Sequence, residues 1–245
     1  MDIIVTETLD ELGAAAADLV LAQVRANPAT VLGVATGSSP LPVYEHLARA
    51  DADFSAVTCF ALDEYVGLPA EHEQSYAHFV RHRISEPLGI RPENTHVPLA
   101  SQAGGLVGLH GGDYEELIRL AGGIDLQVLG IGRNGHLAFN EPGSSFESRT
   151  RVVPLTLDSR KANARFFSSL DDVPTHAITQ GLGTIMEARH LLVVVSGGAK
   201  AAAVRSAVDC PVTEDLPASI LQRHPNVTMI LDEAAASLLS RTHAL

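Results

Sequence analysis

The feature that most restricts how this chain can fold is a set of short apolar runs that each end abruptly in polar or glycine residues. Residues 30–35, 57–62, the run opening at Leu126, residues 190–196 and residues 227–231 are rich in Val, Leu and Ile and too short for helices. Helical segments separate them. Thr8 with Glu11 three residues on forms a capping box, opening a helix through Ala15, Leu19, Leu21 and Val24 that stops before Pro28. Further helices are expected over residues 41–48, 76–84 (capped by Ser75), 113–120, 159–167, 199–208, 217–223 and 232–239. A short strand is expected at the end of residues 87–98 and another over 151–155, whereas residues 175–183, rich in Thr and Gly, read as irregular. Continuous apolar strands alternating with helices predict an α/β fold with an open, mostly parallel Rossmann-like sheet, helices on both faces and right-handed crossovers. With 46% hydrophobic residues the chain can bury one large core, so a single domain over 1–245 is expected.

Charge and cysteine usage narrow the function. A formal net charge of -12 argues against a nucleic-acid partner, and no apolar run approaches the roughly 18–20 residues of a membrane span. Cys59 and Cys210 lie too far apart for a zinc or redox motif, and no secretory signal opens the chain, which points to a reducing cytoplasm. An acidic protein repels anionic substrates unless local cations or helix N-termini intervene, so any phosphate site must trace to named groups.

Open α/β sheets build sites at the carboxyl ends of their strands. The richest such end is Gly130-Ile131-Gly132-Arg133-Asn134-Gly135-His136-Leu137-Ala138-Phe139-Asn140-Glu141-Pro142. Its Gly130-x-Gly132-x-x-Gly135 matches the dinucleotide fingerprint in form, but Asn140, Pro142 and Gly143 stop any helix from running on from the third glycine, so a nicotinamide site is not expected. The glycines instead let backbone approach a ligand. A lone histidine is usually a packed one, but Asn134 and Glu141 can flank His136 and fix its tautomer for proton transfer. His136 lacks a second His or Cys at ligand spacing, and His78 and His82, four apart on a helix, lack a third ligand, so no metal is expected.

Asp63 and Glu64 follow the run 57–62 without a spacer, which places two carboxylates at a strand's carboxyl end. Either is a helix cap in the plain reading; a partly desolvated one is a base suited to a carbon acid, and without the strand register the two are equivalent. Thr36, Gly37, Ser38 and Ser39 offer N–H groups and hydroxyls to an oxygen-rich ligand but lack the Lys of a Walker loop. Lys200, just after Ser196-Gly197-Gly198, supplies a cation at a helix start, and Arg160, Lys161 and Arg165 gather three more that spacing cannot rank.

Taken together and in order, Ala35-Thr36-Gly37-Ser38-Ser39-Pro40, Leu62-Asp63-Glu64-Tyr65-Val66-Gly67-Leu68, the Gly130 to Pro142 stretch, Ser148-Arg149-Thr150-Arg151, Ala162-Asn163-Ala164-Arg165-Phe166-Phe167 and Ser196-Gly197-Gly198-Ala199-Lys200 resemble the glucosamine-6-phosphate deaminase family. The resemblance runs from about Val31 to Leu231; the Asp-Glu-Tyr-Val-Gly and Gly-His-x-x-Phe-Asn-Glu-Pro motifs are the specific parts. It implies an enzyme that converts D-glucosamine 6-phosphate and water to D-fructose 6-phosphate and ammonia, with no cofactor. It further implies that His136, oriented by Asn134 and Glu141, opens the sugar ring and that Asp63 moves a proton from C2 to C1. Thr36, Gly37, Ser38 and Ser39 would hold sugar or phosphate oxygens, with Arg165 and Lys200 clamping the phosphate. A lid is expected over about 144–172.

Two departures from the family pattern bear on regulation. Asn134 stands where many members carry Asp, leaving a less charged relay. Allosteric hexameric members share Arg149-Thr150-Arg151 but then present a Lys, where this chain has Val153 and Pro154, and they have a longer C-terminal segment. Activation by N-acetylglucosamine 6-phosphate is therefore not expected, and a monomer or small homo-oligomer is. Three rival readings are a galactosamine-6-phosphate deaminase, a 6-phosphogluconolactonase, whose family lacks the Phe-Asn-Glu-Pro continuation, and a non-catalytic sugar-phosphate sensor, against which Asp63, His136 and Glu141 argue.

Overall fold

Every residue of the apolar runs Val31–Val34, Leu126–Leu129 and Leu191–Val195 is buried. Successive strand residues point to opposite faces, so both faces of the sheet they form are covered. In this computed structural model residues 1–98 and 111–240 are described. The strands are β1 (Asp2–Thr6), β2 (Val31–Val34), β3 (Thr58–Ala61), β4 (Asp63–Tyr65), β5 (Thr95–His96), β6 (Leu126–Leu129), β7 (Arg151–Pro154), β8 (His176–Thr179), β9 (Leu191–Val195) and β10 (Val227–Asp232). The helices are α1 (Leu9–Ala26), α2 (Leu41–Arg49), α3 (Tyr76–Val80), α4 (Glu86–Leu88), α5 (Gly111–Leu120), α6 (Leu157–Asn163), α7 (Leu182–Met186), α8 (Ala201–Asp209) and α9 (Glu233–Ala236). The capping box is present: Glu11 N donates to Thr8 Oγ1 at 3.1 Å and Thr8 N to Glu11 Oε2 at 3.2 Å.

Seven strands form a sheet in the order β1-β10-β9-β6-β2-β3-β5, and every pair in it is parallel. After β2 the chain builds outward through β3 to β5, then returns to place β6 on the other side of β2. The crevice between the carboxyl ends of β2 and β6 is thus a topological switch point, where open α/β sheets bind ligands.

A second sheet of three antiparallel strands, β4-β8-β7, was not legible in the sequence. Residues 175–183, expected to be irregular, instead supply β8 and α7. The strand exists because Thr179 pairs with Asp63 on one side and Arg151 on the other, contacts too distant in the chain for local patterning to reveal. The expected helix over 217–223 is a 3-10 helix, Pro217–Arg223, and β1 precedes the first element expected. No helix starts at Gly135. Among the described residues no helix is long and apolar enough to cross a membrane, and Cys59 and Cys210 are both free.

Candidate active site

Three adjacent strands, β9-β6-β2, deliver the loops that meet at the switch point. Ser39, buried at the end of the β2 loop, ties the outer two together. Its Oγ lies 3.0 Å from Ser196 Oγ and accepts from Lys200 Nζ at 3.2 Å. Gly197 fixes the β9 loop in a conformation that disfavours side chains, with φ at 92°, and donates to both Asp232 carboxylate oxygens at 3.0 and 2.8 Å. Gly37, with φ at 108°, and Ser38 stand exposed at the mouth. Burial lowers the Lys200 pKa, and the neighbouring Arg133 charge lowers it further. The Lys200 ammonium and the Ser39 and Ser196 hydroxyls, with the Arg133 charge acting on them, can bind an oxygen-rich anion.

His136 follows on the β6 loop. Its imidazole fills the space a side chain at position 132 would take: a Cβ on Gly132 would lie 2.2 Å from His136 Cε1 and 2.3 Å from Nε2. Glu141 Oε2 accepts from Asn134 Nδ2 at 2.6 Å and stands 3.7 Å from His136 Nδ1, an ion-pair distance. Asn134 Oδ1 in turn accepts from the His136 N–H at 3.3 Å. The second Glu141 oxygen accepts from Ser159 Oγ. Burial pushes the Glu141 carboxyl up, but His136, Ser159 and Asn134 outweigh it and hold its pKa down at about 2. Glu141 is therefore an anion facing His136 at any ordinary pH.

The Phe139-Asn140 part of the motif is structural. Asn140 Nδ2 donates to Leu137 O at 3.0 Å and Gln180 O at 2.8 Å, and Asn140 Oδ1 accepts from Arg151 Nη1 at 2.9 Å. These bonds hold a turn in which Ala138 takes φ of 52°, unusual for a residue other than glycine. Phe139 packs with Tyr65, Leu155 and Ala177 in a second apolar cluster, and its N–H donates to Thr179 Oγ1 at 3.3 Å. Thr179 is the strand partner of Asp63, so β8 joins the imidazole turn to the carboxylate pair.

The pair is unequal. Glu64, 1% exposed, accepts from the backbone N–H groups of Tyr65 at 2.8 Å, Tyr76 at 2.9 Å and Ala77 at 2.7 Å, and so caps α3. Asp63, 6% exposed, receives no side-chain hydrogen bond among the described residues. Burial, reinforced by the Glu64 charge, raises its pKa well above the usual carboxylate range. A carboxylate with lone pairs uncommitted and a raised proton affinity is equipped as a base.

The structure therefore joins Ser39, Ser196 and Lys200 at one point and groups Asn134, His136 and Glu141 on the β6 loop, while Thr36 stands half-buried at the start of the β2 loop. Arg165 is exposed, its guanidinium 4.6 Å over the Phe166 ring, and no hydrogen bond or ion pair joins it to Ser39 or Lys200. Sequence reading missed Arg133, Ser159, Ser196 and Asp232. Arg133 was the one with a signal, a cation inside the glycine loop. The His78 and His82 rings lie tilted to one another at 56° with centroids 4.2 Å apart, and His82 pairs with Glu86 at 2.9 Å. Among the described residues no three His, Cys, Asp or Glu side chains gather as a metal site.

A doubly wound α/β sheet with its polar groups collected at the switch point defines the class, that of enzymes acting on small molecules at strand ends. The chain belongs to the family of glucosamine-6-phosphate isomerases and 6-phosphogluconolactonases, whose sequence model matches residues 6–230. It is 51% identical to a glucosamine-6-phosphate deaminase of Arthrobacter sp. (strain FB24) over 98% of this chain and 93% of that protein. A second deaminase of that name, from Rhodopirellula baltica, is 48% identical over 95% of this chain and 93% of its own length. Among solved structures, a monomeric glucosamine-6-phosphate deaminase superposes with a TM-score of 0.92 at 39% identity, covering 97% of this chain and 100% of that one. The 6-phosphogluconolactonase of Trypanosoma cruzi shares the fold, with a TM-score of 0.76 at 22% identity over 98% of this chain and 97% of that one.

Proposed function

We propose that the protein converts D-glucosamine 6-phosphate and water to D-fructose 6-phosphate and ammonia. The observation that carries this reading is the division between the two carboxylates: Glu64 is consumed by backbone N–H groups while buried Asp63 keeps its oxygens for a proton. The names of relatives near half identity support the same reaction.

His136 moves the anomeric hydroxyl proton to the ring oxygen, opening the pyranose to an aldehyde. Asn134 and Glu141 hold the imidazole for that transfer. The C2 proton becomes acidic only once C1 is a carbonyl. Asp63 takes it, and the electron pair forms a C1–C2 double bond while the carbonyl oxygen is protonated. The same proton returns to C1, leaving an iminium at C2; water adds there and ammonia leaves. C1 is reduced as C2 is oxidised, so the chemistry balances without an external redox partner. Thr36, Gly37, Ser38, Ser39 and Lys200 hold the phosphate, with Arg133 beside them. Arg165 joins them when the segment beyond α6 closes, which is the lid expected over 144–172; of that span β7 is held in the small sheet.

We place the reaction in the cytoplasm, in a monomer or small homo-oligomer, a reading supported by the free cysteines and by the monomeric solved relative. The reading also holds that N-acetylglucosamine 6-phosphate does not activate it. The deciding assay follows ammonia and fructose 6-phosphate release from glucosamine and galactosamine 6-phosphates, for wild type and Asp63→Asn. Loss of at least 10³-fold in the variant is expected; wild-type turnover by Asp63→Asn would remove the carbon base, and faster galactosamine 6-phosphate turnover would change the substrate.

A further inference from the structure

Ser159 lies on α6, outside the strand-end loops that build the rest of the site, yet its hydroxyl donates to Glu141 Oε1. Thr156 Oγ1 donates to Ser159 Oγ at 3.0 Å while accepting from Ser159 N at 3.1 Å, so the N-terminal cap of α6 runs directly into the contact. The other Glu141 oxygen is committed to Asn134 at 2.6 Å and faces His136 at 3.7 Å. Glu141 thus sits at the end of a chain of hydroxyls, from Thr156 through Ser159, with the imidazole on its far side. A carboxylate held at only one oxygen can turn about its terminal bond; one held at both cannot.

We propose that Ser159 is a positioning residue for the ring-opening relay, latching α6 to Glu141 so that the imidazole is aligned only when this helix is docked. The proposal rests on the assignment of His136 and Glu141 to ring opening. It gives the α6 segment a part in proton transfer rather than in covering the substrate alone. It also accounts for Asn134: where an amide donates to Oε2, the second oxygen needs its own donor to fix the carboxylate plane.

The test is a double-mutant cycle on ammonia release from glucosamine 6-phosphate, with Ser159→Ala, Glu141→Gln and the pair. The Thr156 cap uses the backbone N–H of residue 159, so Ser159→Ala leaves it in place. Ser159→Ala is expected to lower kcat about tenfold with KM within about twofold, and Ser159→Thr to recover at least half of wild-type kcat. In the Glu141→Gln background the Ser159→Ala loss is expected to fall below about twofold, because the amide no longer supplies the carboxylate charge whose orientation Ser159 fixes. A full tenfold loss in that background, or none in the wild-type background, overturns the proposal. Absence of ammonia release by the wild-type protein would instead overturn the assigned reaction, a distinct outcome.

Discussion

Gly132→Ala tests the placement of the imidazole with a single methyl group. Residue 132 lies outside the positive-φ region, so alanine is conformationally permitted there. The three nearest heavy atoms to the added Cβ all belong to the His136 ring, at 2.2, 2.3 and 2.4 Å. Ordinary contact begins at 3.4 Å, so the ring must retreat by about 1.2 Å, away from the place that Glu141 faces. His136 is about one-third exposed, which lets it move outward instead of breaking the fold. A misplacement of roughly 1 Å in a proton-transfer group costs about 10²-fold, or about 2.7 kcal/mol in the barrier. Initial rates of ammonia release should show kcat down by that factor, KM changed by less than about threefold, and the thermal midpoint lowered by no more than roughly 4 °C. Gly130→Ala is the control, since its Cβ would meet nothing nearer than Val194 O at 3.9 Å. A Gly132→Ala enzyme within threefold of wild type, or an equal loss in the control, would refute the argument.

Asp63 also ties activity to stability. Its folded pKa is raised, so as pH climbs past the ordinary carboxylate value of about 3.9 the unfolded chain ionises first and the folded protein loses stability until its own pKa is passed. Asp63→Asn should therefore melt above wild type at pH 7.5 and converge with it near pH 4; a variant less stable at pH 7.5 would contradict the burial argument. Glu64→Ala removes one acceptor from three backbone N–H groups and should cost about 3 kcal/mol, roughly 6–12 °C in melting temperature, a loss that urea titration would show as a lower midpoint at unchanged slope. Lys200→Met should raise KM about 10–100-fold and Arg133→Gln by less, with kcat nearly kept; an unchanged KM in Lys200→Met would move the phosphate elsewhere. Velocity against glucosamine 6-phosphate should be hyperbolic and indifferent to N-acetylglucosamine 6-phosphate, and a sigmoidal curve straightened by it would show allostery.

The parallel sheet and most of its helices were legible because their causes are local. Val, Ile and Leu runs, the Thr8 cap and glycine loops act over a few residues, and burial on both faces follows from their lack of alternation. The same locality made His136, Asn134 and Glu141 readable as one group, since eight residues hold all three. What folding alone decided is everything that joins distant segments. The antiparallel sheet β4-β8-β7 includes a pairing across more than a hundred residues, between Asp63 and Thr179. That pairing, with α3 offering its N–H groups to Glu64, separates base from cap in a dipeptide whose two acids are chemically alike. Ser39 meeting Lys200, and Ser159 meeting Glu141, follow from strand order and helix docking. Local chemistry names the candidates; desolvation and hydrogen-bond satisfaction, which exist only in the packed chain, assign their roles.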